Sequence, residues 1–335
     1  MSTSDTSPII IPQDSEGMRD LVVEMKSGQQ TVDQMIVIFQ QMSRNAFRSE
    51  QIAGAVNAIK PSSPSTALEG NPIDNCSTGG SGLKTFNTST ASAFLLAAAG
   101  YKVAKSGNRS ASGNSGSMDV MEELGANVDL NPEREQAIYS ETGLLMRFPK
   151  SNSGISSQSE VADARREYGR NTIFNCVGPL LNMTGAPNKI IGVGQRGHTL
   201  PIAEAAKLTG IQCGKVITGH DGLDELTVCR KSDIIDIGTG SKTELDPCSL
   251  GIALANHTDI EGGTPEENAE LMLKISRGGV KSAIVDLILL NTAVAITVVD
   301  SEKDMRVAYD TAAETLTFGK MYEVMQRYID LTNEE

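Results

Sequence analysis

What the chain lacks narrows its chemistry before any motif is read. Lysine and arginine number 29 against 42 aspartate and glutamate, a net charge of −13, and no block of basic residues offsets that balance. A field of this sign repels polyanions, so general nucleic-acid binding and acidic-membrane binding are disfavoured, while a local basic pocket remains open. Tryptophan is absent, and only three histidines and five cysteines occur. The cysteines (76, 176, 213, 229 and 248) show no Cys-x-x-Cys spacing, which argues against a structural zinc site. Their odd number and scatter fit a reducing cytoplasm. No apolar run is long enough for a membrane span. The nearest, "VKSAIVDLILLNTAVAITVV" at 280–299, is interrupted by Lys281, Asp286 and Asn291 and reads as a buried helix. The opening "MSTSDTSPIIIPQDSEG" has no basic region ahead of an apolar stretch, so it reads as a frayed leader rather than a signal peptide. A cytoplasmic protein is expected.

What remains is a chain of 335 residues, 39% hydrophobic and 21% charged, long enough for two domains or one large domain with an appendage. Residues 17–60 place apolar side chains at helical spacing in three segments, with Thr31 and Ser49 as expected caps. A Pro/Ser/Gly stretch at 61–73 follows, and the pattern then changes. Short Val/Ile-rich runs alternate with helices: a strand near 102–105, a helix at 117–124, "NVDL" as a strand, and a helix opened by Asn131-Pro132 and closed by Gly143. The polar stretch 149–159 reads as a loop, 160–182 as helix broken at Gly169, and "KIIGVG", "CGKVITG" and "DIIDI" as strands. The last ninety residues or so are mostly helical in pattern. The expected fold class is α/β, an all-helical start giving way to an α/β body.

Two loops stand out within that body. "STGGSGLKTFNTSTA" (77–91) packs glycines and hydroxyls directly before the apolar helix "SAFLLAAAG". A helix start leaves unpaired amide N–H groups and partial positive charge, glycines admit a ligand to the backbone, and hydroxyls add hydrogen bonds. Together these suggest a phosphate cradle. It is neither a Walker loop, since Leu83 separates Gly82 from Lys84, nor a Gly-x-Gly-x-x-Gly turn. "VAKSGNRSASGNSGSMD" (103–119) repeats the strand, Gly/Ser loop and helix start, and adds Lys105 and Arg109, both suited to phosphate oxygens. A third stretch, "GHDGLDEL" (219–226), sets Asp224 beside Glu225 on a turn. Next to two phosphate cradles this pair is a candidate magnesium site, because Mg²⁺ favours a few carboxylates together with substrate phosphates.

From about residue 20 to its end the chain resembles the anthranilate phosphoribosyltransferase family, among the nucleoside-phosphorylase-like phosphoribosyltransferases. The resemblance is carried by "TGGSGLKTFNTSTASAF", "VAKSGNRSASGNSGS", "TIFNCVGPLLN", "GHDGLDE", "LDPCSLGI" and "EENAEL". It implies a small helical domain (1–70, joined by a helix at about 171–186), a larger α/β domain (74–335), a homodimer formed through the helical parts, and 5-phosphoribosyl-1-pyrophosphate (PRPP) bound with Mg²⁺. Carried over position by position, it assigns Gly79, Gly80, Asn87, Ser89, Thr90, Lys105, Asn108, Ser112 and Ser117 to PRPP, and Ser89, Asp224 and Glu225 to the metal.

Departures from the family pattern cluster at the acceptor end. Ser106 stands where the family has His, Asn171 where it has an acceptor-binding Arg, and Met183 where it has Pro. "FPKSNSG" takes the place of a His-Pro-Ala-Met stretch, and on the donor side Ser81 replaces an Asp that assists the metal. An acceptor pocket formed by Ser106, Asn108, Asn171 and Met183 implies a small aromatic or heteroaromatic acceptor other than anthranilate. Anthranilate itself would need Arg147, Lys150 or Arg170 to supply the missing cation; Arg170 is one residue away, about 100° around a helix. Two other readings stay open: a nucleoside phosphorylase of the same fold, and a non-catalytic binding relative.

Overall fold

The computed structural model describes residues 10–60, 68–79, 81–109, 115–148 and 159–334. Among these the chain opens with three helices, α1 (Ser15–Lys26), α2 (Val32–Met42) and α3 (Ser49–Ile59). Thr31 caps α2 in a reciprocal box: its hydroxyl accepts from the Gln34 amide, and Gln34 Oε1 accepts from the Thr31 amide. Ser49 is the first residue of α3 rather than its cap; Arg48 takes that position, and its amide is satisfied by Gln51.

A seven-stranded sheet follows: β1 (Ile73–Ser77), β2 (Val103–Ser106), β3 (Leu144–Arg147), β4 (Asn188–Gly192), β5 (Cys213–Gly219), β6 (Ser232–Asp236) and β7 (Lys242–Leu245). Its order is β3-β2-β1-β4-β5-β6-β7, parallel from β3 through β5, with β6 and β7 antiparallel. The stretch "NVDL" carries no strand, and the outer partner of β2 is instead "LLMR", whose three leading residues are buried. Between the strands run α4 (Thr88–Ala98), α5 (Ser117–Glu123), α6 (Pro132–Thr142), α7 (Glu160–Tyr168), α8 (Ile173–Leu180) and α9 (Thr199–Leu208). After the sheet come α10 (Pro265–Ser276), α11 (Ala283–Val299), α12 (Met305–Thr317) and α13 (Lys320–Asn333).

The pleat of the sheet divides the core. Ile190, Ile217 and Ile234 face one hydrophobic cluster with α4, α5 and α10–α13; their neighbours Ile191, Val216 and Ile235 face another with α1–α3 and α7–α9. The run at 280–299 is the buried helix α11, as its interrupted apolar pattern requires. α7 also packs on α2, and α8 on α3, so the segments before and after Gly169 both return to the opening helices. The chain leaves β1 for β2 and β3, then crosses back to β4 on the other side of β1. That reversal puts a crevice outside the carboxyl ends of β1 and β4, where open α/β sheets bind ligands.

Candidate active site

At that crevice the loop after β1 is tied down by backbone. Thr78 N–H donates to the Gly192 carbonyl at 2.8 Å, joining the ends of β1 and β4. A side chain at Gly192 would meet the Asp224 carbonyl oxygen at 1.9 Å, and one at Gly194 would meet Ser81 Cα at 2.9 Å. Only glycine lets the three loops meet here. Gly79, by contrast, has φ +64° and open space around it, leaving its backbone accessible.

α4 starts at Thr88, three residues earlier than its apolar run suggests, and its first turn is the focus of the site. Glu225 faces this turn. Burial and the neighbouring Asp224 carboxylate push its carboxyl up to about 8, and the Thr88 hydroxyl, Lys105 and the Ser89 amide oppose the shift. Three polar atoms around this turn are buried without a hydrogen bond: Glu225 Oε2, Thr90 Oγ1 and Asn75 Oδ1. Buried polar atoms are normally paired, so three orphans in one place mark a site built for something else to satisfy. Asn75 is fixed by donating to the Ser89 carbonyl at 2.9 Å. Lys105, only 3% exposed, donates to the Asn75 carbonyl at 3.0 Å. Burial lowers its ammonium pKa, against the pull of Asp74, Cys76 and Glu225.

The second cradle is held from α5. Ser117 Oγ accepts from the Asn108 amide and lies 3.2 Å from the Asn108 carbonyl, while a side chain at Gly107 would collide with Ser117 and Phe148. The two cradles join through Asn87, whose Oδ1 accepts from Ser115 Oγ at 3.1 Å and from Asn268 Nδ2 at 2.8 Å. Arg109, expected at a phosphate, is instead turned onto α5, where it pairs with Asp119 at 3.0 Å and Glu122 at 2.6 Å. Two acidic groups within reach outcompete open solvent for a guanidinium. Gly80 and Ser112 lie outside the described residues, as does Lys150.

Of the acceptor residues, Asn171 lines the cleft at the ends of β1 and β4 with Thr78, Gly79 and Thr172, but Ser106, Asn108 and Met183 do not. Ser106 ends β2, and its amide and hydroxyl both donate to the fully buried Asp74 at 2.9 Å. The Asp74 carboxylate also takes an ion pair from the fully buried Lys189 at 3.0 Å. Met183 is reached through Arg147, which pairs with Glu135 and donates to the Met183 carbonyl at 2.9 Å. Arg147 is therefore committed, and Arg170 is exposed.

Residues with no assigned role hold the carboxylate turn. Asn291, which interrupts the apolar run of α11, donates to the Leu226 carbonyl and accepts from the Leu226 amide, both at 2.9 Å. It clamps the backbone directly after Glu225. Asn268 anchors Asn87 through its side-chain oxygen instead. Each is a polar residue on a buried helix face, and that is the signal the sequence offers for it.

Residues 69–322 match the family described as glycosyl transferase family, a/b domain. The chain is 34% identical over 309 residues to the anthranilate phosphoribosyltransferase of Desulfitobacterium hafniense (strain DSM 10664 / DCB-2), covering 92% of this chain and 91% of that protein. Its fold is similar to the crystal structure of anthranilate phosphoribosyltransferase from Thermus thermophilus, with TM-score 0.87, 29% identity and 96% of each chain covered. It also shares the fold of the Saccharomyces cerevisiae enzyme in complex with PRPP and Mg, at TM-score 0.85 and 23% identity over 96% and 93% of the two chains.

Proposed function

The chain belongs to the anthranilate phosphoribosyltransferase family, and on that premise we propose that it transfers the 5-phosphoribosyl group of PRPP to a small aromatic or heteroaromatic nitrogen acceptor. The observation that carries this reading is the convergence of three unpartnered buried polar atoms, Glu225 Oε2, Thr90 Oγ1 and Asn75 Oδ1, on the amino end of α4. A diphosphate and its cation are the kind of ligand that satisfies such a set.

The residues present fit Mg²⁺. Asp224 and Glu225 are adjacent carboxylates held mostly out of water, with one Glu225 oxygen unpaired and its charge disfavoured by burial and by Asp224. These two and the Ser89 hydroxyl would hold the ion, which when bound supplies positive charge to the diphosphate. Everything else falls to the chain. The open Gly79 backbone and the α4 amides take phosphate oxygens. Lys105 supplies a cation at the floor, Asn87 ties the two loops together, and Ser117 holds the second loop onto α5. The acceptor nitrogen bonds to the anomeric carbon as the bond from that carbon to pyrophosphate breaks. Pyrophosphate leaves with the electron pair, and the nitrogen loses its proton to solvent. The donors aimed at the leaving group stabilise its growing charge, and the crevice aligns the reactants.

The division into a helical unit and an α/β unit, a homodimer and a cytoplasmic setting belong to the same proposal. It is supported by the packing of α1 on α3 and α2 on α7, and by Val23 and Val37, exposed at 48% and 40% on the opening helices. No helix among the described residues is long and apolar enough to cross a membrane.

The test is titration of the protein with PRPP and Mg²⁺, followed by pyrophosphate release across aromatic amines. Binding and release support the reading. Phosphate-dependent cleavage of nucleosides, without PRPP binding, would replace it with a phosphorylase.

A further inference from the structure

The turn that carries Asp224 and Glu225 opens on a third carboxylate with neighbours of another kind. Asp221, Cys229 and His257 bring a carboxylate oxygen, a thiol sulfur and an imidazole nitrogen within 4.8 Å of one another. They stand eight and 28 positions apart and come from three separate links: after β5, before β6, and between β7 and α10. No short spacing in the sequence announces such a set. Among the described residues no lysine or arginine pairs with Asp221; His257 faces it, with Nε2 3.7 Å from Asp221 Oδ2. The comparable group of His220, Asp233 and Glu244 is instead filled by cations of the chain, Arg196 and Lys242 on Asp233 and Lys231 on Glu244.

The surrounding chain builds this arrangement from several sides. The Ala255 amide donates to the Val228 carbonyl at 3.1 Å, laying the segment before His257 beside Cys229. One hydroxyl then orients two of the groups: Thr227 Oγ1 donates to Asp221 Oδ2 at 2.6 Å and accepts from the Cys229 amide at 3.0 Å. The Leu223 amide donates to Asp221 Oδ1 at 3.2 Å, and a side chain at Gly219 would meet that same oxygen at 2.3 Å. Support of this kind behind ligating groups is what fixes a metal site. The Asp221 side chain is 4% exposed and Cys229 is 2% exposed, whereas the His257 side chain, at 45%, leaves a route in from solvent. A closed tetrahedral zinc site holds such atoms about 3.3–3.6 Å apart. His257, on the three-residue turn His257–Asp259, has the room to swing in and close it.

Magnesium takes oxygen ligands, so this set does not duplicate the pair at Asp224 and Glu225. A thiolate and an imidazole with one carboxylate suit Zn²⁺ and its borderline-soft neighbours. Burial raises the Cys229 thiol above its ordinary pKa, so the sulfur keeps its proton until a metal displaces it to solvent. We propose that Asp221, Cys229 and His257 form a second metal site, of the zinc class, with a water as the fourth ligand. The ion ties two segments together. Asp221 lies three residues before Asp224, and beyond His257 the Ile260 carbonyl accepts from the Phe86 amide at 3.2 Å, one residue before Asn87. A single ion thus braces the carboxylate turn against the loop that leads into α4. This site does not depend on the phosphoribosyl-transfer reading.

The experiment titrates the full chain, reduced and stripped with a chelator, with Co²⁺ alone and then with Zn²⁺. About one Co²⁺ per chain is expected, with a thiolate-to-cobalt charge-transfer band and the visible bands of a tetrahedral ion, all lost as Zn²⁺ displaces it. Zn²⁺ alone should raise the unfolding temperature. Cys229→Ser should remove the charge-transfer band. His257→Ala, at an exposed position, should leave the metal-free unfolding temperature unchanged and weaken Co²⁺ binding at least tenfold. Asp224→Asn with Glu225→Gln should keep the band, because those carboxylates are not its ligands. Absence of the band in the wild-type protein overturns the proposal. So does a band that survives Cys229→Ser, which would put the ion on an exposed thiol, Cys213 or Cys248. A band lost with Asp224→Asn and Glu225→Gln overturns it as well, by moving the ion to the carboxylate pair. Should Cys229→Ser fail to fold, His257→Ala decides: an unaltered Co²⁺ affinity there overturns the site.

Discussion

Asn268 Nδ2 donates to Asn87 Oδ1 at 2.8 Å, linking α10 to the cap of α4 across 181 residues. Asn87 holds the α4 cradle to the α5 cradle, so the bond sets the distance between the two loops expected to bind phosphates. Asn268 is 1% exposed, and truncating it leaves the Asn87 oxygen under-satisfied. Such a loss costs about 1–3 kcal/mol. Asn268→Ala is therefore expected to raise KM for PRPP by roughly five- to a hundredfold, with a smaller effect on KM for the acceptor. Steady-state kinetics with each substrate varied in turn provides the check; equal shifts in both constants would point to general loosening.

Burial and Asp224 disfavour the charged form of Glu225, and a bound cation would offset that penalty. Replacing both with their amides, Asp224→Asn and Glu225→Gln, should leave the metal-free protein at least as stable as wild type. The same change should abolish the stabilisation by PRPP with Mg²⁺, which at 100-fold excess over Kd is about 2.7 kcal/mol. Thermal unfolding with and without a chelator separates the two effects. A pair that merely decorates a loop would leave the ligand-induced shift intact.

The Asp74–Lys189 pair is fully buried, and its partners cannot be removed singly without leaving a charge behind. Lys189→Met should destabilise by about 3–5 kcal/mol. Adding Asp74→Asn should recover a large part of that loss, because the stranded carboxylate is gone. A double-mutant cycle by urea unfolding measures the coupling, and additive losses would show that the pair contributes no interaction.

Acid should act through Asp233, a residue 2% exposed that accepts from Arg196 at 2.6 Å, Lys242 at 2.9 Å and His220 at 3.0 Å. Burial alone would raise its carboxyl; the three hydrogen bonds outweigh burial and hold it far below the usual range. A carboxyl with a depressed folded pKa contributes stability that is fully present above its unfolded value, about 3.9, and is lost as pH falls below it. Asp233→Asn is thus expected to be less stable than wild type at pH 7 and to approach it near pH 2. A gap of equal size at both values would mean that packing, not charge, is lost.

Local chemistry makes much of this protein legible in its sequence alone. Thr31, Asn131-Pro132, Gly143 and Gly169 mark helix ends because capping and left-handed backbone are decided within a few residues. The loops at 77–91 and 103–119 announce themselves through glycine and hydroxyl content, and the Asp224–Glu225 turn through adjacent charge. Strand β3 escapes such a reading, and "NVDL" imitates a strand without forming one, because a short apolar run becomes a strand only where a neighbour offers it a hydrogen-bonding edge. Arg109 departs from its expected phosphate role because its nearest partners, Asp119 and Glu122, come into reach only once α5 forms. The anchoring of Glu225 by Asn291, of Asn87 by Asn268 and of Asp74 by Lys189 joins residues 65 to 181 positions apart. Nothing within a local window specifies such pairs. The stacking of His198 on Phe47 is likewise a product of packing: two residues 151 positions apart meet because the opening helices fold against the end of β4.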